Sequence, residues 1–145
     1  MHSHGLTISA PPAWDVRVYK RSPAAGEQTF PILHAGNFAL PARRGDFGSG
    51  AVEVMGSSHV LVVLFEFEPA AAHTKLFARR GLPTAQPADF STRALQRTLL
   101  GQSGVQYFFQ ESGRAFCLYI VLGSHARRRR LVEAANSLIG SVAIR

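Results

Sequence analysis

The chain has 145 residues, of which 46% are hydrophobic, 17% charged and 10% aromatic, and it contains one cysteine. This length predicts a single domain that can bury a core without disulfides or metal ions. Because Cys117 has no second cysteine to pair with, an intrachain disulfide framework and a multi-cysteine zinc site are both excluded. The ordinary apolar fraction excludes a disordered chain.

The net charge of +7 is unevenly distributed along the chain. Residues 1–72 carry five basic and six acidic groups, whereas residues 73–145 carry eleven basic and three acidic groups. Almost all of the basic residues are arginines, whose planar guanidinium binds carboxylates and phosphates in a forked geometry. The basic half therefore favours an anionic partner, although the amino-acid usage of a GC-rich genome is an alternative explanation for the same counts.

Apolar segments that could act as a signal or cross a membrane are short. Residues 1–6 lack the apolar region of a secretory signal. The longest apolar run, residues 60–65, is far shorter than the ~20 residues of a membrane-spanning helix. We therefore expect a cytoplasmic protein with no membrane span.

The first half of the chain is dominated by strand patterns. Residues 14–18 alternate between apolar and polar side chains, which predicts a strand with its apolar side chains facing inward. Residues 29–40 predict one strand or two. Residues 60–68 begin apolar on both faces and end with Glu66 and Glu68 on one face, which predicts a central strand whose far end emerges into solvent.

A hairpin and a helix are the clearest features of the second half. Residues 105–110 and 115–122 are alternating runs joined by a four-residue turn sequence, which predicts a β-hairpin. The one long helix follows, with Ser124 as its N-cap, apolar residues at helical spacing and Gly140 as its C-cap glycine. A last short strand covers residues 141–144.

The remaining predictions concern short helices and the chain start. One short helix is expected within residues 49–55 and a second within 91–97, while residues 1–5 are expected to be disordered or part of a tag. Strands, a hairpin and then one helix predict the α+β fold class. We therefore expect a single domain over residues 1–145, with a mainly antiparallel sheet and the long C-terminal helix packed on it.

Two parts of the sequence resemble a known family. The opening Pro-Pro-Ala-Trp-Asp-Val at 11–16 and the close, where Gly-Arg-Ala-Phe at 113–116 leads into Leu-Gly-Ser at 122–124, resemble PsbP-like domains. The middle, at 35–38 and 45–53, is more similar to a group of small uncharacterised bacterial proteins. What the resemblance implies is a compact sheet flanked by helices, in domains that bind other proteins and share no catalytic centre. It carries over no catalytic residue.

Few residues are placed for catalysis or metal binding. Cys117 lies between apolar neighbours in a predicted strand, where a thiol is typically a small buried hydrophobic side chain. Glu66 and Glu68 would lie roughly 6–7 Å apart on one strand face, a separation that glycosidases use, but acidic residues at a strand end are typically solvated. The histidines lack metal-ligand spacing. We therefore expect no catalytic residue, no metal and no cofactor.

The glycine-rich residues 45–50 are a further candidate for ligand binding. They run Gly-x-x-Gly-x-Gly, the reverse of the dinucleotide fingerprint, and no phosphate-loop lysine follows them. A flexible turn is the interpretation that this pattern favours, while Arg43 and Arg44 just before it leave anion binding open.

The most informative segment is the start of the predicted helix. If Ser124 is the cap, four arginines occupy the first two turns, where the helix already carries about half a positive charge and each cation costs roughly 0.3–1 kcal/mol. Main-chain N–H groups and arginines together predict a cradle for a phosphate, a carboxylate or an acidic protein surface. Its residues are Ser124, His125, Arg127, Arg128, Arg129 and Arg130. The structural alternative is that Glu133 pairs with Arg129 and Arg130 within the helix.

These observations predict a non-catalytic binding domain that contacts another protein or an anionic ligand through its arginine-rich face, with a homodimer left open. Nucleic acid is not expected as the partner, because the hairpin aromatics alternate as core residues do. Two alternatives remain. One is a small-molecule binding protein with an apolar pocket between sheet and helix. The other is an enzyme that gathers His59, His73, His125 and a carboxylate in space.

Overall fold

A computed structural model describes all 145 residues and contains two sheets and one α-helix. The five strands of the larger sheet are β3 (Asp15–Tyr19), β4 (Ile32–Gly36), β5 (Val60–Phe67), β6 (Ser103–Glu111) and β7 (Arg114–Leu122). They lie in the order β3-β4-β5-β7-β6, and every neighbouring pair is antiparallel. The α+β fold class predicted from the sequence is confirmed.

The smaller sheet brings the two ends of the chain together. Its strands are β1 (His2–Ser3), β2 (Leu6–Ile8) and β8 (Val142–Ile144), and β2 pairs with both of the others. Residues 1–5, expected to be disordered or part of a tag, form β1 and its turn. The reason is that the Met1 ammonium donates to the Ile8 carbonyl at 2.8 Å while β2 is anchored by buried side chains.

The predicted hairpin is formed by β6 and β7. The strands are paired from Ser103 opposite Leu122 to Glu111 opposite Arg114. Only Ser112 and Gly113 lie between the strands, with φ angles of 54° and 73°. Two successive residues with positive φ are what a type I′ turn requires, and such a turn follows the right-handed twist of the strands.

The helix α1 (Arg128–Ile139) packs on β5 and β7. It begins later than predicted, because the turn before it is bonded elsewhere: the His125 N–H donates to the Gly101 carbonyl at 2.7 Å. Ser124 therefore caps that turn and not the helix, since its Oγ accepts the Arg127 N–H at 3.3 Å. Gly140 ends the helix as expected, but with a φ of −63° and not in the left-handed conformation of a typical C-cap glycine. At 12 residues, α1 is too short to cross a membrane, and no other helix of the chain is long and apolar enough to do so.

Short 3₁₀ helices replace the predicted short α-helices. They cover Val52–Val54, Pro69–His73, Lys75–Phe77 and Pro87–Asp89. The first lies within the expected range of 49–55. Residues 91–97 form no helix, because the main chain of Ser91 exchanges two hydrogen bonds with Gly104 and is thereby bridged to β6.

The two faces of the larger sheet bury separate apolar clusters. One face packs against α1 and the smaller sheet, and its cluster of 22 buried residues includes Leu131, Ala135 and Leu138 of the helix. These side chains pack between the sheet and the helix. The opposite face is covered by loops, including the glycine-rich residues 45–50, over a second cluster that contains Tyr119.

Glu66 does not face solvent as predicted. It is only 6% exposed, and Arg114 contacts both of its carboxylate oxygens, from Nη2 at 2.6 Å and from Nε at 2.9 Å. Arg114 also donates to the carbonyls of His4 and Arg145, so this one guanidinium connects the two sheets. Glu68 is exposed beyond the strand end. The two glutamates therefore do not form the paired carboxylates of a glycosidase.

Candidate anion-binding site

The arginine-rich segment lies at the end of the larger sheet where β7 stops and β5 begins. The Gly123 N–H donates to the His59 carbonyl at 2.8 Å, which ties the exit from β7 to the residue before β5. The His125 N–H bond to Gly101 ties the same segment to the turn before β6. These main-chain hydrogen bonds set the direction in which α1 leaves the sheet.

Two of the four arginine side chains are held by the fold. Arg127 donates from Nη1 to the Ser57 hydroxyl at 3.2 Å. Arg128 donates from Nη1 to the His125 carbonyl at 3.0 Å and is partly buried. Both bonds use only part of a guanidinium, so donors remain for a ligand.

Arg129 and Arg130 are exposed, and their side chains donate to no acceptor in the protein. The pairing with Glu133 that was the structural alternative is not formed. The four ion pairs of the structure all lie elsewhere, and none includes an arginine of residues 127–130. The fold therefore leaves these cations without a neutralising carboxylate.

The main chain adds donors at the same place. The N–H groups of Arg129 and Arg130 have no acceptor, whereas those of Arg128 and Leu131 bond to His125 and Arg127. Free N–H groups in the first turn point along the helix axis and carry partial positive charge. An open depression of about 420 Å³ lies beside them, lined by Ala126, Arg127, Arg129 and Arg130. This arrangement can hold a carboxylate or phosphate group by charge-assisted hydrogen bonds.

Ser124 and His125 have a different role from the one predicted. Neither lines the depression. Ser124 Oγ is occupied by the Arg127 N–H, and the main-chain groups of His125 hold the turn before α1. The ring Nδ1 of His125 is buried and has no hydrogen-bond partner. The predicted set thus divides into a surface made by the arginines and a turn that positions it.

Sequence reasoning missed two neighbours of this surface. Ser57 contacts Arg127 across 70 positions of the chain, and no local pattern indicates such a contact. Leu100 is a fully exposed leucine in the turn whose Gly101 carbonyl is bonded to His125. Leu100 therefore adds one exposed apolar side chain in the turn that adjoins the arginine segment.

The fold separates His73 from the other two histidines proposed for the enzyme alternative, since His59 and His125 both lie at the sheet end where Gly123 bonds to the His59 carbonyl. His59 precedes β5 and accepts the Gly56 N–H on Nδ1, while His73 follows β5, so the length of the strand, more than about 20 Å, separates them. No three His, Cys, Asp or Glu side chains are placed to hold a metal ion. Burial raises the pKa of Cys117 to about 12, which leaves its thiol protonated and unreactive.

Comparison of the chain with protein-family models, with curated proteins and with solved structures found no match. The resemblance to PsbP-like domains therefore stays a prediction. The fold and the site define the protein as a single α+β domain with an unneutralised arginine surface at one end of its sheet.

Proposed function

We propose that this chain is a non-catalytic binding domain that recognises an acidic protein surface through the arginines at residues 127–130. The observation that carries the proposal is that these four cations stand together without a carboxylate partner in the fold. The expected cytoplasmic location belongs to the same proposal.

The position of these arginines works against folding stability. They cluster at the positive end of α1, where a cation costs roughly 0.3–1 kcal/mol, and they also repel one another. Carboxylates of a partner would relieve both effects and would accept from the free N–H groups of Arg129 and Arg130. The stability that these unfavourable charge placements cost the folded protein is thus regained when an anion binds.

The shape of the site favours a protein over a small free anion. The depression is open to solvent and does not enclose a ligand on all sides. Leu100 lies in the adjoining turn and is fully exposed. A protein partner that binds the arginines through its acidic groups can therefore also cover this leucine. An apolar contact surrounded by charges is the arrangement of a protein–protein interface.

The proposal is tested by the binding of a fluorescein-labelled decaglutamate peptide, measured by fluorescence anisotropy at about 50 and about 200 mM NaCl. In the variant Arg129→Ala/Arg130→Ala, two exposed contacts of about 0.5–1 kcal/mol each are lost, so the dissociation constant should rise about five- to thirtyfold. The control Arg43→Ala/Arg93→Ala removes the same charge from exposed arginines elsewhere in the fold. It should change the dissociation constant less than about twofold.

Two outcomes would contradict the proposal. Equal weakening in both variants would show that net charge alone, and not this surface, attracts the peptide. Absence of binding by the unaltered protein at the lower salt concentration would show that the arginine surface has no affinity for clustered carboxylates.

A further inference from the structure

A second candidate site lies on the face of the larger sheet opposite α1 and does not depend on the arginine surface. It is a cavity of about 270 Å³ between the glycine-rich loop and residues 95–97, with Tyr119 of β7 at its base. This volume is just below the range typical of drug-sized ligands, so it suits a small molecule.

The glycine-rich wall of the cavity is pressed onto the sheet. A Cβ on Gly48 would lie 2.4 Å from Leu61 Cδ2, and a Cβ on Gly50 would lie 2.5 Å from the Arg43 carbonyl oxygen. Both glycines also have φ angles of +90°, which other residues rarely adopt. The loop is therefore a closely packed wall and not the flexible turn that its composition predicts.

Hydrogen bonds to Asp46 hold the same wall in place. The buried His34 ring lies beneath the loop, its Nε2 donating to the Asp46 carbonyl at 2.8 Å while its Nδ1 accepts from Arg44 Nε at 2.9 Å. The Asp46 carboxylate accepts the Tyr19 hydroxyl on one oxygen and pairs with Arg21 on the other. The cavity is thus preformed, which lowers the entropy cost of binding a ligand.

Tyr119 supplies a buried donor at the base of the cavity. Its side chain is 1% exposed, and its hydroxyl oxygen accepts the Gln96 N–H at 2.8 Å. The hydroxyl hydrogen itself has no acceptor in the protein. Desolvation raises the pKa of Tyr119, so the hydroxyl keeps this proton. A buried hydroxyl hydrogen without a partner costs free energy, which an acceptor atom of a ligand would recover.

The charges around the cavity favour an anion. Arg97 is 64% exposed, and its one ion pair, from Nη1 to Glu53 Oε2, is 3.9 Å long, so the guanidinium keeps donors for a ligand. The one acidic side chain in the wall, Asp46, already uses both oxygens. The cavity wall therefore offers the Arg97 guanidinium as a cation and no carboxylate oxygen that lacks a partner.

The apolar part of the cavity favours a flat ligand. Phe47 is stacked on Phe65 at 4.8 Å and meets the Tyr119 ring edge-on at 5.8 Å, so the orientation of its ring is set by the core. Val52 and Leu95 complete the apolar lining. Aromatic and branched side chains around a small volume suit one ring of a ligand.

We propose that this cavity binds a carboxylate that carries one aromatic ring. One oxygen of the carboxylate pairs with Arg97, and the other accepts a hydrogen bond from the Tyr119 hydroxyl. The ring lies against Phe47 and Leu95. The ligand class follows from three features of the cavity: the Tyr119 hydroxyl hydrogen that has no acceptor, the exposed Arg97 guanidinium and the single-ring volume.

The test is an NMR titration of the ¹⁵N-labelled protein with 4-hydroxybenzoate and, separately, with benzylamine, each up to about 10 mM. 4-Hydroxybenzoate should shift the amide resonances of residues 45–52 and 95–97, whereas benzylamine, with a ring but the opposite charge, should not. Tyr119→Phe keeps the ring and removes the donor, and it should weaken binding about fivefold. Arg129→Ala/Arg130→Ala should leave it unchanged.

Three results would overturn the inference. They are no shifts at the highest concentration, equal shifts with benzylamine, and shifts confined to residues 124–130. The comparison of the two probes uses the unaltered protein, so it decides the matter even if Tyr119→Phe is poorly folded. Because the arginine variant is the control here, this inference and the proposed function fail independently.

Discussion

Replacement of Arg129 and Arg130 by alanine should stabilise the protein while it weakens anion binding. Both residues lie in the first turn of α1, are exposed and make no side-chain contact with an acceptor. Each costs roughly 0.3–1 kcal/mol at the positive end of the helix, and exposure places them in the lower half of that range. Alanine, the best helix former, adds a small further gain. The double variant should therefore gain about 0.5–1.5 kcal/mol, which for a domain of this size raises Tm by about 2–5 °C.

Circular-dichroism melts at low and high salt measure this gain. At about 0.02 M NaCl the full difference in Tm should be seen, and it should shrink at about 0.5 M because salt screens exposed charges. The control Arg43→Ala/Arg93→Ala removes the same charge away from a helix end and should change Tm little. A lower Tm for Arg129→Ala/Arg130→Ala would refute the reasoning, because it would show that these side chains hold the fold together.

Two further predictions concern buried polar groups. Arg114→Met leaves the Glu66 carboxylate buried without its partner and should lower the free energy of unfolding, measured in urea, by about 3–5 kcal/mol. The double variant Glu66→Met/Arg114→Met should regain most of that stability. An unchanged urea midpoint for Arg114→Met would refute this prediction. Desolvation lowers the pKa of His34 in the folded protein, whereas in the unfolded chain the pKa of a histidine is near 6.5. The unfolded chain therefore binds a proton on this ring more readily than the folded protein does. Stability should be complete above about pH 6.5 and fall by up to about 1.4 kcal/mol per pH unit as the pH drops towards the folded pKa. A urea midpoint that stays constant from about pH 7.5 to about 5.5 would contradict this, and His34→Gln should flatten the dependence.

Much of the secondary structure could be predicted because it depends on neighbours in the chain. The alternation that predicted β3, the apolar run of β5 and the turn between β6 and β7 are all local patterns, and each appears where it was expected. The exceptions are residues whose main chain bonds to a distant segment. Ser91 pairs with Gly104 and His125 with Gly101, and these bonds removed one predicted helix and delayed the start of another.

The candidate sites were predictable only in part. The arginines at 127–130 could be recognised from their position at a helix start, since the helix dipole follows from the sequence pattern. The cavity could not, because its parts come from residues 45–52, residues 95–97 and Tyr119, which only the packing of loops on the sheet brings together.

The sequence by itself determined the α+β class, the hairpin and the concentration of positive charge at the start of α1, because periodicity, turn residues and helix ends are properties of short segments. Only the tertiary structure decided which charges are neutralised. Glu66 is buried because Arg114 reaches it from β7, whereas Arg129 and Arg130 form no ion pair in the fold. Ion pairing depends on distances of a few ångströms between segments far apart in the chain, and those distances are set when the sheet assembles.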